Sequence, residues 1–105
     1  MLDYYNVLDL MTPVDRQVQR SARDFLDSEI RAHVSEWWEN GDFPEGLPTQ
    51  LGEMGFLGAN LPTKYGGGGV GNVSYGLMMY ELERTDSGLR SFASVQGALV
   101  MYPIY

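Results

Sequence analysis

The sequence predicts an all-α domain, an orthogonal or up-down bundle of about four main helices. Three observations carry that expectation. Apolar residues recur at spacings of three and four along several runs; the breaks between runs hold residues that start or stop helices; and the last run is apolar almost all round. A helix apolar on every side must find cover, so the last one is expected inside a bundle.

Residues 1–11 read as a partly apolar lead-in, and residues 12–105 as the helical domain. Thr12-Pro13 starts the first helix, with the hydroxyl as N-cap and proline at the first helical position. Asp15 adds a carboxylate to the first turn, where the helix dipole favours it. Val14, Val18, Ala22, Phe25, Leu26, Ile30, Val34 and Trp37 then form one amphipathic stripe, predicting an unbroken helix to about Glu39. Asn40-Gly41 ends it, since both residues tolerate left-handed geometry. Trp37 reads as a core anchor, and Trp38 as a neighbour packed on another element. Asp24, Asp27, Glu29, Glu36 and Glu39 read as a solvated face. Prolines 44 and 48 disfavour a long helix through the following connection. Leu47, Leu51, Met54 and Leu57 predict a short helix ending near Gly55.

The run Gly66-Gly-Gly-Gly-Val-Gly71 matches G-x-G-x-x-G, yet Pro-Thr-Lys-Tyr precedes it where a dinucleotide fingerprint needs a buried strand. No Lys-Ser/Thr pair follows it, so it is no phosphate-binding P-loop; a flexible or closely packed turn is expected. Asn72 caps the next helix, whose apolar face is Tyr75, Met78, Met79 and Leu82. Glu83 borders that face, and Glu81 reads as a solvated residue able to pair with Arg84. The last helix runs from about Ser87 to Met101, and Pro103-Ile-Tyr105 reads as the first turn of another. The chain is therefore expected to be part of something larger.

Composition narrows the functional classes. The 105 residues include seven basic and fourteen acidic ones, a formal charge of −7, with 44 % hydrophobic and 20 % charged residues. That is the composition of a folded domain, and its charge disfavours nucleic acid and anionic lipid. There are no cysteines, which removes disulfides, thiolate metal sites and cysteine nucleophiles. One histidine, His33, makes no metal cluster, and it reads as an ordinary helix residue without a catalytic partner. The N-terminus has neither signal-peptide nor transit-peptide character, and no apolar run approaches the roughly 20 residues of a membrane span. A cytoplasmic location is expected.

The polar feature that stands out is the helix junction Tyr80-Glu-Leu-Glu-Arg-Thr-Asp-Ser-Gly-Leu-Arg-Ser-Phe-Ala-Ser94. Arg90 and Ser94, four residues apart, share one side of the last helix. Ser87, Arg90, Ser94 and Gly97 form a polar or small strip on it, and Glu83 lies a turn upstream. On a helix this apolar, Arg90 is expected to be shielded from bulk water and to need an anion. Two partners stay open on spacing alone, namely Glu83 within the chain or the anionic group of a ligand.

From Thr12 to Tyr105 the chain resembles the N-terminal α-helical domain of acyl-CoA dehydrogenases, most of all their glutaryl-CoA branch. The residues that carry the resemblance are Gly55-Phe-Leu-Gly58, Leu61-Pro62, Tyr65-Gly-Gly-Gly-Gly69, Tyr80-Glu-Leu-Glu-Arg84, Asp86-Ser-Gly88, Arg90-Ser91, Ser94-Val-Gln96 and Leu99-Val-Met-Tyr-Pro-Ile-Tyr105. The resemblance implies a piece of a larger α-β-α, FAD-dependent enzyme that oxidises the α,β-carbon pair of an acyl-CoA thioester. It implies decarboxylation to crotonyl-CoA in the glutaryl branch, electron transfer to an electron-transferring flavoprotein, and a homotetramer. It also implies that Arg90 and Ser94 hold the distal carboxylate of the substrate, with Glu83 in the same polar cluster. The catalytic base and most flavin contacts are expected outside these residues, so none is assigned here as catalytic and no metal is expected. Leu89, Gly97-Ala98 and Tyr102 depart from that branch, where an aromatic, two serines and a histidine are common, which leaves another dicarboxylyl-CoA as an alternative substrate. A reading of another class is an inactive helical interaction module.

Overall fold

The computed structural model describes residues 3–105, and among these every regular element is helical. A 3-10 turn at Val7–Leu10 precedes α1 (Pro13–Glu29). After a second 3-10 turn at Arg31–His33 come α2 (Val34–Asn40) and α3 (Leu47–Glu53). A third at Thr63–Tyr65 leads through the glycine run into α4 (Asn72–Thr85). α5 (Ser87–Ser94) continues as a π-helical segment (Val95–Met101) into the short α6 (Tyr102–Ile104).

α1 and α5 both pack against α4. The core between them holds Leu26, Ile30, Leu51, Phe56, Leu82 and Ala93, each at most 2 % exposed. Local chemistry starts α1 as expected. The Thr12 hydroxyl accepts from the Asp15 amide at 3.1 Å and the Asp15 carboxylate accepts from the Thr12 amide at 3.1 Å, a reciprocal capping box. Such a cap contributes about 1 kcal/mol. The other oxygen of Asp15 accepts from Ser74 Oγ at 2.6 Å, tying the first turns of α1 and α4 together. These hydrogen bonds, Ser74 first, hold the Asp15 carboxyl below the usual aspartate range.

Three expectations need correction. The predicted long helix is broken after Glu29, where Ile30 takes φ −118° and the His33 amide donates to the Ile30 carbonyl in a tighter turn. The 3-10 turn shifts the register of the stripe, because it winds fewer residues per turn. Val34 and Trp37 then pack on the core while Trp38 is 80 % exposed and His33 stacks on the Trp37 ring at 5.6 Å. The N-cap of α4 is Gly71, one residue before Asn72. Finally, the last helix is not covered all round. Its buried stripe is Leu89, Ala93 and Gly97, while Val95, Leu99, Val100, Tyr102 and Ile104 face outward among the described residues. One packing partner covers one face of a helix, and α4 is the helix packed against α5.

The glycine run is a closed turn. The amides of Gly67, Gly68, Gly69 and Val70 donate to the carbonyls of Pro62, Gly58, Leu61 and Ala59. A Cβ on Gly67 would collide with the Leu61 carbonyl, and one on Gly68 would lie 2.8 Å from the Ala59 oxygen. Backbone approaches this close admit glycine alone.

Candidate functional site

Glu83, Arg90 and Ser94 meet at the α4–α5 junction. α4 ends where the Asp86 amide donates to Leu82, and extended backbone at Asp86 (φ −165°) turns the chain into α5. The Asp86 carboxylate then caps α5 by accepting from the Leu89 amide at 3.0 Å. This short corner points the last turn of α4 at the first turns of α5. Arg90 Nε donates to Glu83 Oε2 at 2.9 Å, and Ser87 Oγ donates to Glu83 Oε1 at 2.9 Å. Arg90 Nη1 donates to Ser94 Oγ at 3.0 Å, whose own proton goes to the Ser91 carbonyl at 3.3 Å.

Both Glu83 oxygens are therefore occupied, and the hydrogen bonds from Arg90 and then Ser87 hold its carboxyl below the usual glutamate range. The guanidinium uses Nε and Nη1, and its Nη2 edge has no partner among the described residues. The Arg90 side chain is 36 % exposed and that of Glu83 51 %. The expectation that Arg90 is shielded from water by its helix is thus corrected, for the reason already given for the half-covered last helix. The cluster is accessible, held by an internal pair, and retains donors able to grip a second carboxylate side by side.

A separate ionic cluster holds the expected pair of Glu81 with Arg84, but buries it against partners on α1 that periodicity did not indicate. Glu81, expected in solvent, is 0 % exposed. Its carboxylate accepts from Arg23 Nε and Nη2 at 3.1 Å each, from Arg84 Nε at 2.9 Å and from Gln19 Nε2 at 3.2 Å. Arg84 also donates through Nη2 to Asp27 at 2.6 Å. Burial pushes the Glu81 carboxyl up, and the hydrogen bonds from Arg23, Arg84 and Gln19 together outweigh it, leaving a net lowering. Arg84 is raised: burial works against its charge, and the bonds to Glu81 and Asp27 prevail. The cluster binds α1 to α4 and has no free oxygen on Glu81, so it reads as structural. The signal for it lies in α1, where Gln19 and Arg23 interleave Val18, Ala22 and Leu26 and so need polar partners across the helix pair.

No group of three or more metal-ligating side chains occurs among the described residues, and no described helix is long and apolar enough to cross a membrane. The glycine run is not a dinucleotide-binding turn. The amides of Gly67–Val70 already have carbonyl partners, so the run offers no cradle for a pyrophosphate.

The fold is a helical bundle with Glu83, Arg90 and Ser94 gathered at one accessible corner, and comparison with known proteins gives the family. The family model described as acyl-CoA dehydrogenase, N-terminal domain, matches residues 12–105. A glutaryl-CoA dehydrogenase from Mycobacterium smegmatis, solved in complex with FADH2, superposes with a TM-score of 0.92 at 39 % identity, over 99 % of this chain and 27 % of that one. The probable acyl-CoA dehydrogenase YngJ of Bacillus subtilis is 32 % identical over 88 % of this chain and 25 % of its own length. The CarC subunit of the caffeyl-CoA reductase-Etf complex of Acetobacterium woodii is 28 % identical over 86 % of this chain and 24 % of its own. The chain belongs to the acyl-CoA dehydrogenase family and is its N-terminal helical domain. It spans about a quarter of the length of these relatives.

Proposed function

We propose that this chain is the substrate-pocket domain of an FAD-dependent dehydrogenase of dicarboxylyl-CoA thioesters, with glutaryl-CoA as the leading substrate. The reaction is α,β-dehydrogenation followed by loss of CO2 to give crotonyl-CoA. The observation that carries the reading is the convergence of Glu83, Arg90 and Ser94 at one helix corner, with the Nη2 edge of Arg90 unpartnered. The likeness to a glutaryl-CoA dehydrogenase at 39 % identity supports it.

In this reading Arg90 receives the distal carboxylate through parallel N–H···O bonds, and Ser94 fixes the plane of the guanidinium. Glu83 is the resting partner that keeps Arg90 oriented before substrate arrives. A neighbouring carboxylate also lowers affinity for an anion, so Glu83 tunes the grip instead of strengthening it. The flavin supplies the hydride acceptor when bound. The closed glycine turn does not fit it, and we assign most of its contacts and the catalytic base to parts of the protein beyond these residues, with an electron-transferring flavoprotein as the partner of the whole enzyme. The name of the CarC relative's complex supports such a flavoprotein partner. A homotetramer is the assembly we propose for the whole enzyme, on family resemblance.

The test uses the whole enzyme carrying this chain. Arg90→Met is expected to lower kcat/KM for glutaryl-CoA by roughly 100-fold, the loss of about 3 kcal/mol typical of a buried charged hydrogen-bonded pair. Pentanoyl-CoA, of equal length without the carboxylate, should lose less than about threefold. Equal losses on both thioesters would remove Arg90 from the specificity role. A substrate panel that favours a shorter or longer diacid would keep the role and change the substrate.

A further inference from the structure

Six of the seven basic side chains are already engaged. Arg16 Nη2 donates to the Leu8 carbonyl at 2.8 Å, Arg23 and Arg84 hold Glu81, and Arg90 holds Glu83. Arg31 lies 3.7 Å from Asp27, and Lys64 sits 5.0 Å over the Tyr65 ring. Of the basic side chains, Arg20 alone makes no hydrogen bond, ion pair or ring contact with the described residues, although Asp24 follows it by four residues.

Arg20 lies on α1 between Arg16, one turn before it, and Arg23, one turn after. Spacings of four and three put the three guanidiniums on one stripe. They line a cleft of about 320 Å³ together with Leu8, Asp9 and Gln19. This concentrates three of seven basic residues along one helix face of a chain whose formal charge is −7.

We propose that this cleft docks an acidic peptide segment of a protein partner, with Arg20 as its anchor. The arrangement favours spaced carboxylates over one compact anion. Arg16 and Arg23 are separated by about 10 Å of helix rise, so the three cations are strung out instead of converging. Asp9, 3.9 Å from Arg16, already pairs with the cation at that end, which leaves Arg20 as the cation without a partner. The surplus negative charge of the chain repels a long polyanion that extends beyond the cleft, whereas a short acidic segment confined to it meets the three cations. The exposure of Arg20 and the lack of any internal bond leave it free to reorient without breaking the fold.

The 105-residue chain is titrated with a hexaglutamate peptide at low ionic strength, and amide NMR shifts are followed. Saturable shifts at Leu8–Arg23 are expected, weakening as salt rises to about 0.3 M. Arg20→Gln should weaken binding roughly three- to fivefold, the scale of one exposed ion pair. Arg20→Lys should retain most of the affinity, and Arg31→Gln should leave it unchanged. The dispersion of the same spectra reports that each variant is folded. Absence of saturable shifts in Leu8–Arg23, equal effects of Arg20→Gln and Arg31→Gln, or inorganic phosphate saturating the same residues at or below the peptide concentration would each overturn the proposal.

Discussion

Glu81 and Glu83 are two positions apart on α4 and have opposite fates. Glu81 turns toward α1 and is 0 % exposed beneath two arginines, while Glu83 turns toward α5 and stays half in water. Removing the Glu81 charge leaves Arg23 and Arg84 facing a neutral amide. Their side chains are 30 % and 22 % exposed, so water relieves part of the cost. Glu81→Gln is expected to lower stability by about 2 kcal/mol at pH 7, less than a fully buried pair would cost. Glu83→Gln should leave stability close to that of the wild-type chain, as loss of an exposed pair does. Urea denaturation of the 105-residue chain measures both. The pH dependence follows from direction. The folded Glu81 carboxyl titrates below the ordinary 4.5, so its stabilisation is complete above that value and fades as pH falls through the lower folded value. The gap between the wild-type chain and Glu81→Gln should therefore narrow only below about pH 4.5. A gap that narrowed on going from pH 5 to pH 8 would contradict the ionised, hydrogen-bonded state of Glu81. Sequence periodicity placed Glu83 near Arg90 because both lie on one local corner. It misplaced Glu81, because the partners that bury it lie 58 and 62 residues away on α1, and a single helix pattern does not register which flank a second helix will cover.

At the scale of elements, the sequence was legible wherever a local signal decides the outcome. Thr12-Pro13 capped α1, Gly41 ended α2 at φ +61°, and α3 and the α4–α5 break fell where turn residues stood. The breaks with no local signal were missed, namely the 3-10 turn after Glu29 and the π segment after Ser94. In the π segment the Tyr102 amide reaches back to Gly97, and Gly97 lies against the Tyr75 ring, where an added Cβ would sit 3.5 Å from the hydroxyl. The glycines divide in the same way. Gly67→Ala drives a Cβ into the Leu61 backbone, and is expected to cost about 2–3 kcal/mol because backbone must move. Gly76, exposed within α4 with nothing near a new Cβ, should gain about 0.5–1 kcal/mol as alanine. Thermal melts of the two variants test this; a tolerated Gly67→Ala would show that the glycine turn is not closed against Leu61 and Ala59.

For the whole molecule, the function proposed above sets recognition at a corner of the fold and leaves the chemistry to residues elsewhere. The outward face of the last helix, with Val95, Leu99, Val100 and Ile104, continues from that corner to a groove lined by Leu61, Tyr65, Met101, Ile104 and Tyr105. An apolar wall leading away from a carboxylate grip suits an acyl chain with a charged end. The all-α architecture was readable from periodicity and capping, whereas which anion Arg90 prefers was not, since its spacing to Glu83 serves an internal pair and a ligand equally well. The central claim is that the corner selects a distal carboxylate. The most direct measurement is the ratio of kcat/KM for glutaryl-CoA to that for pentanoyl-CoA in the unmodified whole enzyme. A ratio above about 100, worth roughly 2.7 kcal/mol of differential transition-state binding, is predicted. A ratio at or below one would contradict it, leaving Glu83, Arg90 and Ser94 as an internal ion pair and nothing more.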